Sequence, residues 1–241
     1  MPRFYCALPL TIGARLDLPE EIAHHVFVLR LQSGDKIELF NGEGGAYVAV
    51  LNEIGKKRAI AEIKLHLTHE CELPFGLSLA QALPEGSKMD WIIEKAIELG
   101  VNSIQPLAAQ RSVVKLNAER AEKKSRHWHS IITAASEQCG RNRIAHLGEL
   151  VEVQKWLQQQ DIHKRILLTP RSDQSLAEWA RHHPAQAVTI MVGPEGGFSD
   201  AEEDWAIQHG ALALNMGPRI LRTETAGLSA ISILSSAWGG M

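Results

Sequence analysis

The chain is poor in cysteine, and its three cysteines, Cys6, Cys71 and Cys139, lie far apart with no C-x-x-C pair. That excludes a disulfide framework and a zinc ribbon, and fits a reducing compartment. No apolar stretch approaches the roughly 20 residues of a membrane span. The start, Met1-Pro2-Arg3-Phe4-Tyr5, has no signal-like apolar run, so a soluble, cytoplasmic protein is expected. Neither sign of charge dominates: 25 Lys and Arg stand against 28 Asp and Glu, a net charge of −3. The whole chain is therefore no polyanion binder. No Gly-Lys-Ser/Thr is present, which excludes a P-loop, and no G-x-G-x-x-G supports dinucleotide binding. There is no G-x-S-x-G, no internal repeat and no low-complexity tract. Histidines are plentiful, but the best cluster, His66-Leu67-Thr68-His69-Glu70-Cys71, matches neither H-E-x-x-H nor H-x-x-E-H, and no metal is expected.

What is present begins with an ordinary core. A chain of 241 residues with 45% hydrophobic and 22% charged residues can form one large or two small domains. Its charge is uneven, because Arg111 to Arg143 holds eight Lys/Arg and three Asp/Glu. Such a patch suits either a solvated helix face or a phosphate backbone.

Residues 1 to about 70 read as a small β-rich unit. Alternating runs at Lys36–Phe40 and Ala46–Leu51 flank the turn Asn41-Gly42-Glu43-Gly44-Gly45, and a third run follows at Ala59–Leu65; the first two are a hairpin signal. Glu20 to Leu31 supplies one short helix, and Thr68 to Pro74 is the expected linker. From Phe75 strands alternate with helices, the pattern of an α/β layer on a mostly parallel sheet. Strands are expected at 77–83, 101–107, 165–169, 188–192 and 211–216. Helices are expected at about 88–99 and 119–139 and from near Ser175, Ser199 and Thr223. Ser87 with Asp90 resembles a capping box, Gly100 sits where a C′ glycine belongs, and Ser199 precedes an acidic first turn. Trp91, Trp128, Trp179, Trp205 and Trp238 fall in these helices and read as core anchors.

Two glycine loops near the end carry the chemistry. Val192-Gly193-Pro194-Glu195-Gly196-Gly197-Phe198-Ser199 runs from strand to helix, and so does Met216-Gly217-Pro218-Arg219-Ile220-Leu221-Arg222-Thr223-Glu224-Thr225-Ala226. Each lets backbone approach a ligand or another loop closely, and each has N–H groups that can hold a carboxylate, a carbonyl or a purine edge. Arg219 and Arg222 precede a nearly uncharged helix, so they need acids, phosphates or carboxylates as partners. Ion pairs with Glu195 or Glu224 are the structural alternative to a catalytic role.

These loops, with Lys88-Met89-Asp90-Trp91, Glu94-Lys95-Ala96-Ile97-Glu98-Leu99-Gly100, Arg111-Ser112 and Glu137-Gln138-Cys139-Gly140-Arg141, resemble the RsmE-type ribosomal RNA methyltransferases of the SPOUT superfamily. The resemblance spans essentially the whole chain, since the β-rich start matches the family's PUA-like RNA-binding domain. Ile97 and Cys139 stand where a hydroxyl residue is the family's habit.

The resemblance implies a PUA-like β-barrel over residues 1–70 and, over 75–241, a SPOUT-type α/β domain. Its parallel sheet would end in a trefoil knot, a rare exception to unknotted connections. The knot loops would bind S-adenosylmethionine through Leu168, Thr169 and Pro170, through Gly193, Pro194, Glu195, Gly196 and Gly197, and through Leu214, Met216, Gly217, Arg219, Ile220 and Leu221. Thr225 and Ala226 complete that set. It further implies a homodimer that methylates N3 of one uridine in 16S rRNA of the small ribosomal subunit. Uridine N3 is a poor nucleophile until its proton leaves, so the site needs a base or donors that stabilise the uracil anion. Arg222, with Glu195 or Glu224 as acid/base or orienting partner, is the expected catalytic set. Arg3, Arg30, Arg111, Lys115, Arg141 and Arg143 are the expected phosphate contacts. A ribose 2′-O methyltransferase acting on another RNA is the alternative within the superfamily, and a non-catalytic RNA-binding assembly factor is the alternative outside catalysis.

Overall fold

A computed structural model describes residues 1–241, and the chain divides into two compact units. The first holds Met1–Glu72 and, from much later in the sequence, Ser136–Ile144; the second holds Leu73–Ala135 and Ala145–Met241.

The first unit contains β1 (Arg3–Tyr5), β2 (Arg15–Asp17), α1 (Glu20–Val28), β3 (Lys36–Phe40), β4 (Ala46–Ile54) and β5 (Ala59–Leu67). Its five strands form one sheet in the order β1-β3-β4-β5-β2. β3, β4 and β5 pair antiparallel as the hairpin signal requires, and β1 joins β3 in parallel. Alternation buries Ile37, Leu39, Ala49, Leu51, Ala61 and Ile63, and α1 covers them with Ile22, Ala23 and Val26. That spacing is the i, i+1, i+4 stripe of an amphipathic helix. The helix ends at Val28, before the expected Leu31, because Arg30 takes a left-handed φ of 58°. β1 and β2 are too short for periodicity to reveal.

Arg3, Glu72 and the 136–144 segment meet inside this unit. The Arg3 guanidinium donates to Glu38 Oε1 at 2.6 Å, to the Ser136 carbonyl at 2.8 Å and to the Arg141 carbonyl at 2.7 Å, and lies 4.0 Å over the Phe40 ring. Arg141 grips Glu72 bidentately, Nε to Oε1 at 3.0 Å and Nη2 to Oε2 at 2.5 Å, with its side chain only 3% exposed. Glu137 Oε1 accepts the Tyr5 amide at 2.8 Å; burial pushes this carboxyl up, against that hydrogen bond.

The second unit runs β6 (Leu77–Ala82), α2 (Lys88–Glu98), β7 (Ser103–Ala108), α3 (Ala118–Cys139, its last turn belonging to the first unit), β8 (His146–Leu147), β9 (Val151–Glu152) and α4 (Val153–Leu157). It continues with β10 (Lys164–Leu168), α5 (Leu176–His182), β11 (Val188–Val192), α6 (Asp200–Gln208), β12 (Leu212–Leu214) and α7 (Thr223–Ala237). Every pairing in its sheet is parallel, in the order β12-β10-β11-β6-β7-β8, with β9 also on β7. β6 and β11 lie inside and are buried at every position, as suits their mostly apolar sequences, in which Ser78, Gln81 and Thr189 are the polar exceptions. α7 packs on β6 and β11 and carries α2 and α5 beside it, while α4 and α6 pack together with α6 on β10.

Local signals fare unevenly. Ser199 forms a full capping box: its Oγ accepts the Glu202 amide at 3.3 Å and Glu202 Oε2 accepts the Ser199 amide at 2.9 Å. Ser87 makes no such cap, because Asp90 is engaged elsewhere, accepting Trp128 Nε1 at 3.0 Å and lying 2.9 Å from His127 Nε2. Trp128, Trp179 and Trp238 anchor the core as expected, but Trp91 is 47% exposed. It sits off the Met89, Ile92, Ile93, Ala96, Ile97 stripe that α2 buries.

Candidate active site

The four neighbouring strands β12, β10, β11 and β6 are parallel, so their carboxyl ends lie together. That edge is where ligands of open α/β sheets bind. The loops leaving these strands surround a cavity of about 550 Å³, a size suited to a cofactor or small ligand. Leu168, Thr169 and Pro170 line it after β10, residues 192–198 after β11, and Met216, Gly217, Arg219 to Glu224 and Ala226 around the start of α7. Three separated stretches expected to bind one ligand are thus brought together.

Two expected residues stay off the wall. Leu214 is fully buried at the end of β12, and its carbonyl accepts the Thr169 amide at 3.0 Å. Thr225 points outward from the first turn of α7 and is exposed. The cavity also takes residues that sequence reasoning missed: Lys88, Phe198, Glu203 and Thr223. Lys88 opens the helix after β6, the neighbour of β11, so strand order rather than spacing would have found it. Glu203 was legible only as an acid favouring a helix N-terminus.

The main chain of the glycine loop is tightly folded. A Cβ on Gly193 would lie 2.7 Å from the Phe198 amide nitrogen, and Gly197 has φ 67°, a conformation costly for other residues. The Gly197 amide closes the turn on the Pro194 carbonyl at 2.9 Å. Arg111 braces it from outside, Nη1 donating to the carbonyls of Gly196 at 3.2 Å and Phe198 at 3.0 Å. A buried polar relay ties the two loops to the sheet: Gln81 Nε2 donates to Thr223 Oγ1 at 2.9 Å, and Thr223 Oγ1 donates to the Gly193 carbonyl at 2.6 Å.

Charges at the cavity are arranged asymmetrically. Glu195 accepts Lys88 Nζ at 2.5 Å and the Glu85 amide at 3.1 Å. Burial alone would raise the Glu195 carboxyl, but these donors outweigh it and hold it below the usual carboxylate value; the same hydrogen bond raises Lys88. Glu224 is different: its Oε2 is buried and has no hydrogen-bond partner. Arg219 and Arg222 are exposed, and neither forms an ion pair with Glu195 or Glu224. Lys88 has taken the partner that sequence reasoning offered them. Glu203, pushed up by burial, accepts Thr169 Oγ1 at 3.0 Å and Arg171 Nη1 at 3.2 Å. No group of three or more His, Cys, Asp or Glu side chains is placed to hold a metal.

The six expected phosphate contacts separate into two kinds. Arg30, Arg111, Lys115 and Arg143 are exposed. Arg3 and Arg141 are not available to a phosphate, because their guanidinium groups are buried against Glu38 and Glu72. Buried guanidinium groups in a β-rich unit of this size need internal acids, and spacing alone does not show where those acids fall.

Comparison with known proteins agrees with this geometry. Residues 71–235 match an RNA methyltransferase domain and residues 18–64 an RNA methyltransferase PUA domain. The chain is 34% identical over 90% of its length to the ribosomal RNA small subunit methyltransferase E of Bacillus subtilis, covering 87% of that protein. It is 30% identical over its full length to the protein of that name from Buchnera aphidicola subsp. Schizaphis graminum, covering 98% of it. A crystal structure of the Neisseria gonorrhoeae ribosomal RNA small subunit methyltransferase E bound to S-adenosylmethionine superimposes with a TM-score of 0.92 at 37% identity, over 99% of this chain and 98% of that one. A Legionella pneumophila structure in complex with the same cofactor gives a TM-score of 0.92 at 36% identity, over 98% of each chain. The chain belongs to the ribosomal RNA small subunit methyltransferase E family, with a PUA domain ahead of an α/β RNA methyltransferase domain.

Proposed function

We propose that this protein transfers the methyl group of S-adenosylmethionine to N3 of a specific uridine in 16S rRNA of the small ribosomal subunit. The observation that carries the reading is the cavity at the ends of β10, β11 and β12, with Arg222, Glu195 and Glu224 on its wall. The residues suit the cofactor: a glycine loop folded tightly at Gly193 and Gly197, tied to the start of α7 by the Thr223 hydroxyl, and an apolar wall from Leu168, Ile220 and Leu221. When bound, the sulfonium supplies a methyl group already activated for transfer, so no metal is needed.

The protein's own part is to orient the uracil and manage its N3 proton. Arg222, exposed and free of an acid partner, stabilises negative charge as it develops on the O2 and O4 of the base. Glu195 and Glu224 flank it as acid/base or orienting partners. Reaching N3 requires an unpaired or flipped base, and Arg30, Arg111, Lys115 and Arg143 hold the surrounding phosphates. The further features of the reading are a trefoil knot threading the cavity loops, a homodimer and a cytoplasmic location.

Mass spectrometry of 16S rRNA from cells lacking the protein, before and after complementation, tests the reading. Loss and return of N3-methyluridine is expected. Loss of a 2′-O-methylated nucleoside instead would assign the other chemistry, and unchanged rRNA would favour a non-catalytic role.

A further inference from the structure

Lys88 is not among the site residues expected from the sequence, yet it lies on the cavity wall among three acids. Its Nζ is 2.5 Å from Glu195 Oε1, and the negative charges of Glu195, Glu224 and Glu85 all act on it. Glu195 and Glu224 therefore differ in their freedom. Glu195 has both oxygens within reach of the Glu85 amide, at 3.1 and 3.4 Å, in addition to the Lys88 ammonium. Glu224 Oε2 has no donor at all although it is shielded from water. A buried acceptor in that state gains from a donor brought by a ligand, and the N–H of a uracil-class base is such a donor.

We propose that Lys88 is a positioning residue that divides the labour of Glu195 and Glu224: it holds Glu195 as a strut between the loop after β6 and the glycine loop, and so leaves Glu224 as the base. This assignment rests on the proposed uridine N3 chemistry. The N3 proton passes to a Glu224 oxygen while the N3 electron pair forms the bond to the methyl carbon. The C–S electron pair stays on sulfur, and the proton leaves Glu224 for water once the product departs. Lys88, Arg219 and Arg222 are the cations lining the cavity with these acids. Glu85 and Glu203 are the remaining anions, from the loop after β6 and from α6. Glu203 is not a competing base, since Thr169 and Arg171 already donate to it.

Single-turnover methylation of small subunits lacking the modification, followed against pH with E224Q, E195Q, K88M and K88R, tests the division. It is paired with carboxyl ¹³C titration of Glu195 in the full-length protein without RNA. E224Q is expected to slow transfer by about 100-fold or more and to abolish the acid limb of the pH profile. E195Q and K88M should reduce the rate about tenfold while keeping that limb, and K88R should recover most of it. In the titration K88M should move the Glu195 carboxyl upward, with K88R restoring it. Wild-type rate and profile in E224Q, a larger loss in E195Q than in E224Q, or a Glu195 titration unmoved by K88M would overturn the assignment. A wild-type protein that leaves uridine N3 untouched while methylating another position would instead overturn the functional reading, and the titration would still decide whether Lys88 sets the charge of Glu195.

Discussion

Thr223 donates its hydroxyl proton to the carbonyl of Gly193 at 2.6 Å, joining the first residue of α7 to the first glycine of the loop after β11. The same oxygen accepts Gln81 Nε2 at 2.9 Å, so one side chain fastens both cavity loops to the central strand β6. Thr223→Val leaves a buried carbonyl and a buried amide without that partner. The expected loss is about 1–3 kcal/mol in urea unfolding, with a clear weakening of S-adenosylmethionine binding by calorimetry. Thr223→Ser should retain most of both.

The ion pairs of Arg141 and Arg143 make opposite predictions two residues apart. Arg141, itself buried, holds the half-buried Glu72 bidentately, and removing one partner strands the other charge. Arg141→Ala should cost about 3–5 kcal/mol in chemical denaturation. Arg143 Nη2 lies 4.0 Å from Glu70 with its side chain half exposed. Arg143→Ala should change stability by less than about 1 kcal/mol.

RNA binding should follow the same division. Removing Arg30, Lys115 or Arg143 should weaken binding to small-subunit rRNA and lower the slope of log affinity against log salt by about 0.7–0.9 per residue. A fluorescence titration across salt concentrations reads this directly. Arg3→Met should instead appear as lost stability, since that guanidinium is spent on Glu38 and on the carbonyls of Ser136 and Arg141.

Glu203 sets a pH dependence of definite sign. Burial raises its carboxyl above the ordinary value of 4.5, against the Thr169 and Arg171 hydrogen bonds. Its contribution to stability is therefore full below the unfolded pKa and is lost as pH rises through the folded one. Glu203→Gln should flatten thermal stability across that window and leave it unchanged or higher at neutral pH. A drop at neutral pH would show that the Arg171 pair outweighs desolvation.

Arg222 should matter to transfer and little to folding, because it is exposed and has no acid partner. Arg222→Ala should lower kcat by about 100-fold or more with an unchanged unfolding midpoint. Full turnover in the variant would remove it from the chemistry.

Much of this was legible in the residues because the informative signals are local. The parallel sheet follows from largely apolar runs such as Val188–Val192, and α6 from Ser199 and its acids. The cavity follows from two glycine loops whose strands, β11 and β12, end on the same edge of the sheet, on either side of β10. What was hidden depends on strand order and on distant pairing. Lys88 reaches Glu195 only because β6 is the neighbour of β11, a relation with no mark in sequence 107 residues apart. Arg3 and Arg141 looked like phosphate ligands because Glu38 and Glu72 lie 35 and 69 residues from them. β1, β2, β8 and β9 are two or three residues long, too short for any period to register.

The return of Ser136–Ile144 to the first unit has a consequence for the order in which the protein is made. When the ribosome has delivered Glu72, the β-rich unit still lacks the carbonyls that Arg3 seeks and the guanidinium that neutralises Glu72. Those groups emerge only after more than 60 further residues, with the rest of α3. The amino-terminal unit is thus first in sequence and yet completed only when part of its successor exists, so a chain cut after Glu72 would leave Glu72 without its guanidinium and Arg3 with only Glu38 and the Phe40 ring as partners. Shortening α3 would delay or unpick the amino-terminal unit without touching a residue of its sheet.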